Sequence, residues 1–176
     1  MFLLLISTKS SSFKKKYEII TVNMNLFLFK EEDYLLSPIQ DFTQVAYLQL
    51  ASSLKNENFV FSPLSLHSAL TLVFLGSKED SKTYKELQKS LGGLINSSTL
   101  KYEYQNYIQF LKQNSEVLYG NHIWLKNGIS IKNGYKEVLQ KYFDAEISTV
   151  EFMSKEAIKK VNNWISKYTK GKITEV

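Results

Sequence analysis

The stretch from Ser62 to Gly76 constrains the fold more than any other part of this 176-residue chain. Ser62-Pro63 reads as a helix start, because Ser caps the first turn and Pro at the first helical position lacks an N–H that would be unpaired anyway. Leu64, Leu66, Ala69, Leu70, Leu72, Val73, Phe74 and Leu75 follow before Gly76 stops the helix, and they leave no polar face of any width. A helix apolar nearly all round belongs inside a large core. The chain is 44% hydrophobic and 14% aromatic with only 7 Gly and 2 Pro, a composition that can build such a core and does not suit disorder.

The flanking sequence is punctuated as regularly. Ser37-Pro38 repeats the helix start, with Phe42, Val45, Ala46 and Leu50 at helical spacing. Phe59-Val60-Phe61 reads as a very short buried strand. A helix is expected over 81–91, with Tyr84, Leu87 and Leu91 inward and Gly92-Gly93 ending it. The next starts near Thr99 and aligns Leu100, Tyr104, Tyr107, Ile108 and Leu111. Val117 to Lys126 reads as a strand with Val117, Tyr119, Ile123 and Leu125 inward, closed by the Asn127-Gly128 turn. A helix from Asn133 to Phe143, a strand over 147–152, and a helix capped by Ser154 and ended by Gly171 complete the pattern. In that last helix Ala157, Val161, Trp164 and Tyr168 share a face, and a further strand is expected to begin before Val176. Mixed helices and strands with no βαβ alternation and no internal repeat predict an α+β fold.

Chemistry is sparsely supplied. The absence of cysteine excludes disulfides, thiolate metal sites and cysteine nucleophiles. His67 falls on the buried helix and reads as a satisfied structural histidine. His122 falls on the Val117–Lys126 strand and reads as half-exposed. The two are far apart in sequence and form no metal-ligand motif, so no metal, cofactor or catalytic residue is assigned. Ser52-Ser53-Leu54-Lys55 matches S-x-x-K without its companion motifs. The chain is not expected to be an enzyme.

The net charge of +5 is owed to lysine alone, since none of the 22 basic residues is Arg. Bidentate contacts to phosphate or guanine are therefore missing, and no nucleic-acid partner is expected. Lys78, Lys82, Lys85 and Lys89 form a stripe on which a glycosaminoglycan could lie, although a solvated helix face explains the same spacing. Asn96-Ser97-Ser98 is a glycosylation acceptor that matters only in a secreted chain. Residues 1–36 read as an atypical leader, either a solvated or disordered extension or a misassigned one, containing Lys14-Lys15-Lys16. Within it Phe2-Leu3-Leu4-Leu5-Ile6 resembles a signal-peptide core but is too short, has no basic residue before it and lacks a clear cleavage site. The run Leu26-Phe27-Leu28-Phe29 is shorter still. No run approaches a membrane span, and no membrane partner is expected.

Four blocks, in order, resemble the serpin family of serine protease inhibitors. Asn58-Phe59-Val60-Phe61-Ser62-Pro63-Leu64-Ser65-Leu66, continued by Ala69-Leu70 and Leu75-Gly76, resembles its N-x-x-x-S-P-x-S segment. Gly120-Asn121-His122-Ile123-Trp124-Leu125 resembles the strand with an N-x-[IL]-[FWY] motif. Tyr142-Phe143-Asp144-Ala145-Glu146 through Val150-Glu151-Phe152 is similar to a helix-to-strand passage ending in V-[DNE]-F. Val161-Asn162-Asn163-Trp164-Ile165 with Thr169-Lys170-Gly171-Lys172-Ile173 resembles I-N-x-W-[IV]…T-x-G-K-I.

The resemblance, over roughly residues 41–176, implies a mixed α/β fold in which N-terminal helices pack on part of a central sheet. In inhibitory members a protease cleaves an exposed reactive loop, which inserts into that sheet as a strand and drags the acyl-enzyme away. By position, Ser62, Pro63 and Ser65 fall beneath the sheet where its strands part. Asn58 orders the approach to that helix, and Trp164 belongs to a helix lying across the sheet and accommodating insertion. The resemblance also implies that 37–176 is the N-terminal half of a serpin domain, cut before the reactive loop. Inhibition is then not expected in this form, and a serine protease is a partner of a full-length form only. The alternatives are a non-inhibitory interaction or storage module and a lysine-rich polyanion binder. Family resemblance places the protein outside the cell. Without the rest of the fold, Val117–Lys126 is expected to lack flanking strands and Trp164 to lack a sheet beneath it, so aggregation or a partner chain is predicted.

Overall fold

The computed structural model describes residues 2–7, 36–54, 58–93, 96–113 and 117–176, and for 2–7 the backbone and its pairing. Lys14-Lys15-Lys16, Leu26–Phe29 and Lys55 lie outside the described residues. The elements in order are β1 (Phe2–Ser7), α1 (Leu36–Ser53), α2 (Pro63–Gly76), α3 (Lys82–Ser90), α4 (Ser97–Gln113), β2 (Val117–Lys126), α5 (Asn133–Phe143), β3 (Ala145–Val150) and α6 (Lys155–Tyr168). The fold is mixed helix and strand, as expected.

The sheet is three-stranded in the order β1-β2-β3. β1 runs antiparallel to β2 from Phe2 opposite His122 to Ser7 opposite Val117. β3 runs parallel to β2 from Ala145 opposite Asn121 to Val150 opposite Lys126. Two expectations are corrected here. β2, α5 and β3 make one βαβ crossover, required because adjacent parallel strands cannot be joined by a tight turn. β2 also has both edges paired, by β1 and β3, and Trp164 is only 6% exposed against it.

Local sequence explains most of the helices. Ser62 caps α2, its side chain accepting from the Ser65 N–H at 3.2 Å with Pro63 at the start. Ser81 and Ser154 do the same for α3 and α6, accepting from Tyr84 at 3.1 Å and Ala157 at 3.0 Å. Each satisfies a helical N–H that has no partner within its own helix. The α4 stripe of Leu100, Tyr104, Tyr107, Ile108 and Leu111 is buried as its spacing predicts. Gly92, at φ +105°, lets the turn after α3 press against Pro38, where a Cβ would meet that ring at 2.8 Å.

The core joins Ile39, Leu64, Leu72, Phe74, Leu91, the α4 stripe, Tyr119, Leu139 and Phe143. Three readings differ from it. Phe59-Val60-Phe61 is not a strand, and Val60 is fully exposed, because no described strand lies beside it to pair its backbone. Val45 points to water at 58% exposure, and α1 buries Phe42, as expected, together with Ile39. Residues 172–176 form no strand. They are held by Thr169, whose hydroxyl bonds both the N–H and the carbonyl of Ile173.

Candidate functional site

The two sides of the sheet present two different sites. On one side α2 packs against β1, and its first turn carries the serines. Ser62 is engaged as a cap, whereas the Ser65 hydroxyl is buried without a hydrogen-bond partner. Asn58 is exposed, four residues ahead of Ser62.

Further along α2, the inward face carries polar side chains beside Leu64, Leu72 and Phe74. His67, Ser68 and Thr71 are fully buried. His67 Nε2 lies 3.4 Å from the Leu91 carbonyl, which can only accept, so the ring's proton is placed on Nε2 and Nδ1 accepts from the Tyr104 hydroxyl at 2.5 Å. Burial pulls His67 down to about 4, so it is neutral at pH 7, as a satisfied structural histidine should be. Ser68 Oγ lies 3.5 Å from the Tyr119 hydroxyl of β2. Asn121 Nδ2 donates to that hydroxyl and to the Phe143 carbonyl, both at 2.7 Å. Burial pushes Tyr119 up to about 12 and Tyr104 well above the ordinary phenol range, so both stay protonated. These groups tie α2, α4, β2 and the end of α5 through a polar path within an apolar core.

On the opposite side α6 lies across β2. Gly120 admits it, since a Cβ there would stand 2.5 Å from the Tyr168 ring and 3.2 Å from Trp164. His122, two residues on, stacks on Trp124 with ring centroids 3.7 Å apart and meets Trp164 near a right angle at 5.2 Å. His122 is 3% exposed, which corrects its reading as half-exposed. Strand alternation turns its side chain off the core face, and nothing local to the strand signals that α6 covers that face. His122 Nδ1 is 3.5 Å from a carboxylate oxygen of Glu146 on β3, and the other oxygen accepts from the Tyr168 hydroxyl.

The sequence-derived residues therefore divide. Ser62, Pro63 and Ser65 share the head of α2, with Asn58 just before it, and Trp164 lies across the sheet from them. Sequence reasoning missed Gly120, Glu146 and Tyr168 as parts of one site. The i, i+2 placement of Gly120, His122 and Trp124 on a strand is their only signal.

The lysines stand apart from both sites. Lys78, Lys82, Lys85 and Lys89 are exposed at α3, where Lys82 pairs with Glu86 at 3.7 Å and Lys85 with Asp80 at 3.6 Å. Asn96 is exposed, and its side-chain oxygen accepts from the Thr99 N–H at 2.7 Å, capping α4. Ser52 and Ser53 of the S-x-x-K run bond back to the Gln49 carbonyl. Among the described residues, no group of three or more metal-ligating side chains occurs. No described helix is long and apolar enough to cross a membrane.

Comparison with known proteins agrees with this geometry. The family model Serpin (serine protease inhibitor) matches residues 37–176. Alpha-1-antitrypsin 1-3 of Mus musculus is 30% identical over 141 residues, covering 77% of this chain and 34% of that protein. Neuroserpin of Homo sapiens is 25% identical over 143 residues, covering 78% and 34%. The structure of cleaved kallistatin complexed with heparin superposes with a TM-score of 0.70 at 22% identity, covering 80% of this chain and 42% of that one. A helix under the sheet with a Ser-Pro start, a covering helix with its Trp, and a family match over most of the chain define a mixed helix-and-sheet fold of the class that the family model describes. The chain belongs to the serpin family. It spans about a third of the length of the relatives it matches.

Proposed function

We propose that this chain contributes the helices and part of the central sheet of a serpin-type inhibitor of serine proteases, acting outside the cell. One observation carries the reading: β2 lies between the α2 layer and α6, with the unpartnered Ser65 hydroxyl at the head of α2. In this reading Ser62, Pro63 and Ser65 govern the parting of strands above them, Asn58 orders the approach, and Trp164 holds the helix that must yield. Strand insertion requires the sheet's covering elements to separate and repack, which suits a layer held by a few specific contacts. The chain spans about a third of its relatives' length, and inhibition is proposed for a protein of the relatives' full length.

The test is the native protein from its own source, detected by an antibody against residues 100–120 and incubated with a panel of serine proteases. A protein about twice 20.4 kDa that forms a covalent complex surviving denaturation supports the reading. A protein of that size that is cleaved without forming such a complex favours a non-inhibitory interaction or storage role. A native mass near 20.4 kDa with no complex removes inhibition from this gene product.

Weak polyanion binding is a second reading, favoured by the exposed α3 lysines and by a neighbour whose structure was determined with heparin. It predicts retention on heparin that falls steeply with salt and is lost in the combined Lys82→Gln, Lys85→Gln, Lys89→Gln variant. Retention unchanged by that variant assigns binding elsewhere. Glycosylation at Asn96 belongs to the extracellular reading and is checked by a mass shift on deglycosylation.

A further inference from the structure

The seat of α6 on the sheet contains an unusual concentration of buried nitrogen. Both ring nitrogens of His122 and the indole nitrogens of Trp124 and Trp164 are buried without hydrogen-bond partners. Groups so placed are usually bonded, and an imidazole held between indoles is accommodated best when neutral. The facing titratable and charged groups are few. Glu146 stands on β3 and Tyr168 on α6, and the amino terminus acts through its charge.

Glu146 is the pivot. One of its oxygens takes the Tyr168 proton donor, tying α6 to β3, while the other lies 3.5 Å from His122 Nδ1. That separation is too long for a charge-assisted hydrogen bond, which closes to roughly 2.7–2.9 Å. An imidazolium would draw the carboxylate inward to close it, and that movement carries the other oxygen away from the Tyr168 hydroxyl. Its other N–H would still be buried without a partner.

We propose that His122 is an acid-operated latch: neutral, it completes the seat in which Trp164 rests, and protonated, it takes Glu146 from Tyr168 and loosens α6 from the sheet. Burial sets His122 below its ordinary 6.5, Glu146 pulls the other way, and the amino terminus adds to the lowering. The neutral state is therefore favoured at pH 7, and the latch opens as pH falls below 6.5. The inference rests on the packing of α6 and is independent of protease inhibition.

The two tryptophans of the chain both belong to the seat, so intrinsic emission reads it directly. The 176-residue chain is titrated from neutral to mildly acidic pH, with helix content followed in parallel by circular dichroism. The expected result is an emission change with a midpoint below pH 6.5 while helix content holds. His122→Phe retains a flat ring without a titrating group and is expected to lose the change. His67→Gln is expected to keep it. Glu146→Gln removes the attraction for the imidazolium and is expected to lower the midpoint. The proposal is overturned if His122→Phe titrates like the parent, if Glu146→Gln raises the midpoint, or if emission and helix content fall together. Should His122→Phe fail to fold, proton NMR of the parent decides, with the His122 ring resonance assigned by its persistence in His67→Gln. A His122 titration coincident with the emission change supports the latch, and one displaced from it overturns it.

Discussion

Two single residues set the tolerance of the molecule, one by size and one by charge. Gly120 is where α6 comes closest to β2, and any side chain there collides with Tyr168 and Trp164. Gly120→Ala is expected to lift α6 and to cost about 1–3 kcal/mol, the usual range for overpacking, read as a lower denaturation midpoint with red-shifted Trp emission. His67 limits acid stability. Its folded value is depressed to about 4 against 6.5 in the open chain, so its contribution is complete above pH 6.5 and lost as pH falls toward 4. The loss amounts to roughly 3 kcal/mol at about 1.4 kcal/mol per unit. Unfolding midpoints measured across that window should fall steeply in the parent and less in His67→Gln. An equal slope in both would place the acid sensitivity elsewhere. His67 is legible as a structural histidine because its helix has to be buried. His122 is not legible, because its burial depends on a helix more than thirty residues away.

Among the elements, α2 shows the difference between predicting a helix and predicting its faces. Its start, its stop and its place in the core follow from Ser62-Pro63, an apolar run and Gly76. Which side turns inward does not follow, since a helix apolar nearly all round has no distinguished face. The structure buries Leu64, His67, Ser68, Thr71, Leu72 and Phe74, and it leaves Leu66 and Val73 at 40% and 45% exposure. Polar groups go inward because Tyr104 and Tyr119 wait there, and each bond recovers the desolvation of its donor and acceptor. Leu66→Lys is accordingly expected to change stability by no more than about 0.5 kcal/mol, a surface value. Leu72→Ala is expected to cost about 2–5 kcal/mol, a core value. Denaturant titration of the two variants checks both, and equal costs would contradict this orientation. At the far end of α2, the Tyr135 hydroxyl of α5 donates to the Leu72 carbonyl at 2.5 Å. That bond fixes the helix end against the βαβ unit, and no local pattern announces it.

At the scale of the molecule, the paired edges of β2 and the cover provided by α6 answer the expected weakness of an isolated strand, but apolar surface remains. Val45 and Leu48 of α1 and Leu66 and Val73 of α2 are exposed large side chains on neighbouring helices. Self-association of the 176-residue chain that grows with concentration is expected from them. Sedimentation over a concentration series checks this, with Val45→Lys and Leu48→Lys together reducing it. A monomer at every concentration would show that these side chains are too dispersed to act as a patch. By itself the sequence determined the starts of α2 and α6, the stripe of α4, the bounds of β2 and the family, because caps, periodicity and motif order are local properties of the chain, whereas α1 begins at Leu36, ahead of its expected Ser37-Pro38 start. Only the tertiary structure decided that β2 and β3 run parallel around α5, that β1 pairs with β2, that α2 turns polar side chains inward, and that His122 is sealed beneath Trp164. Those outcomes depend on which distant groups meet, through cross-strand hydrogen bonds, the missing side chain of Gly120 and the desolvation of buried nitrogen, and residues far apart in sequence carry no local mark of meeting.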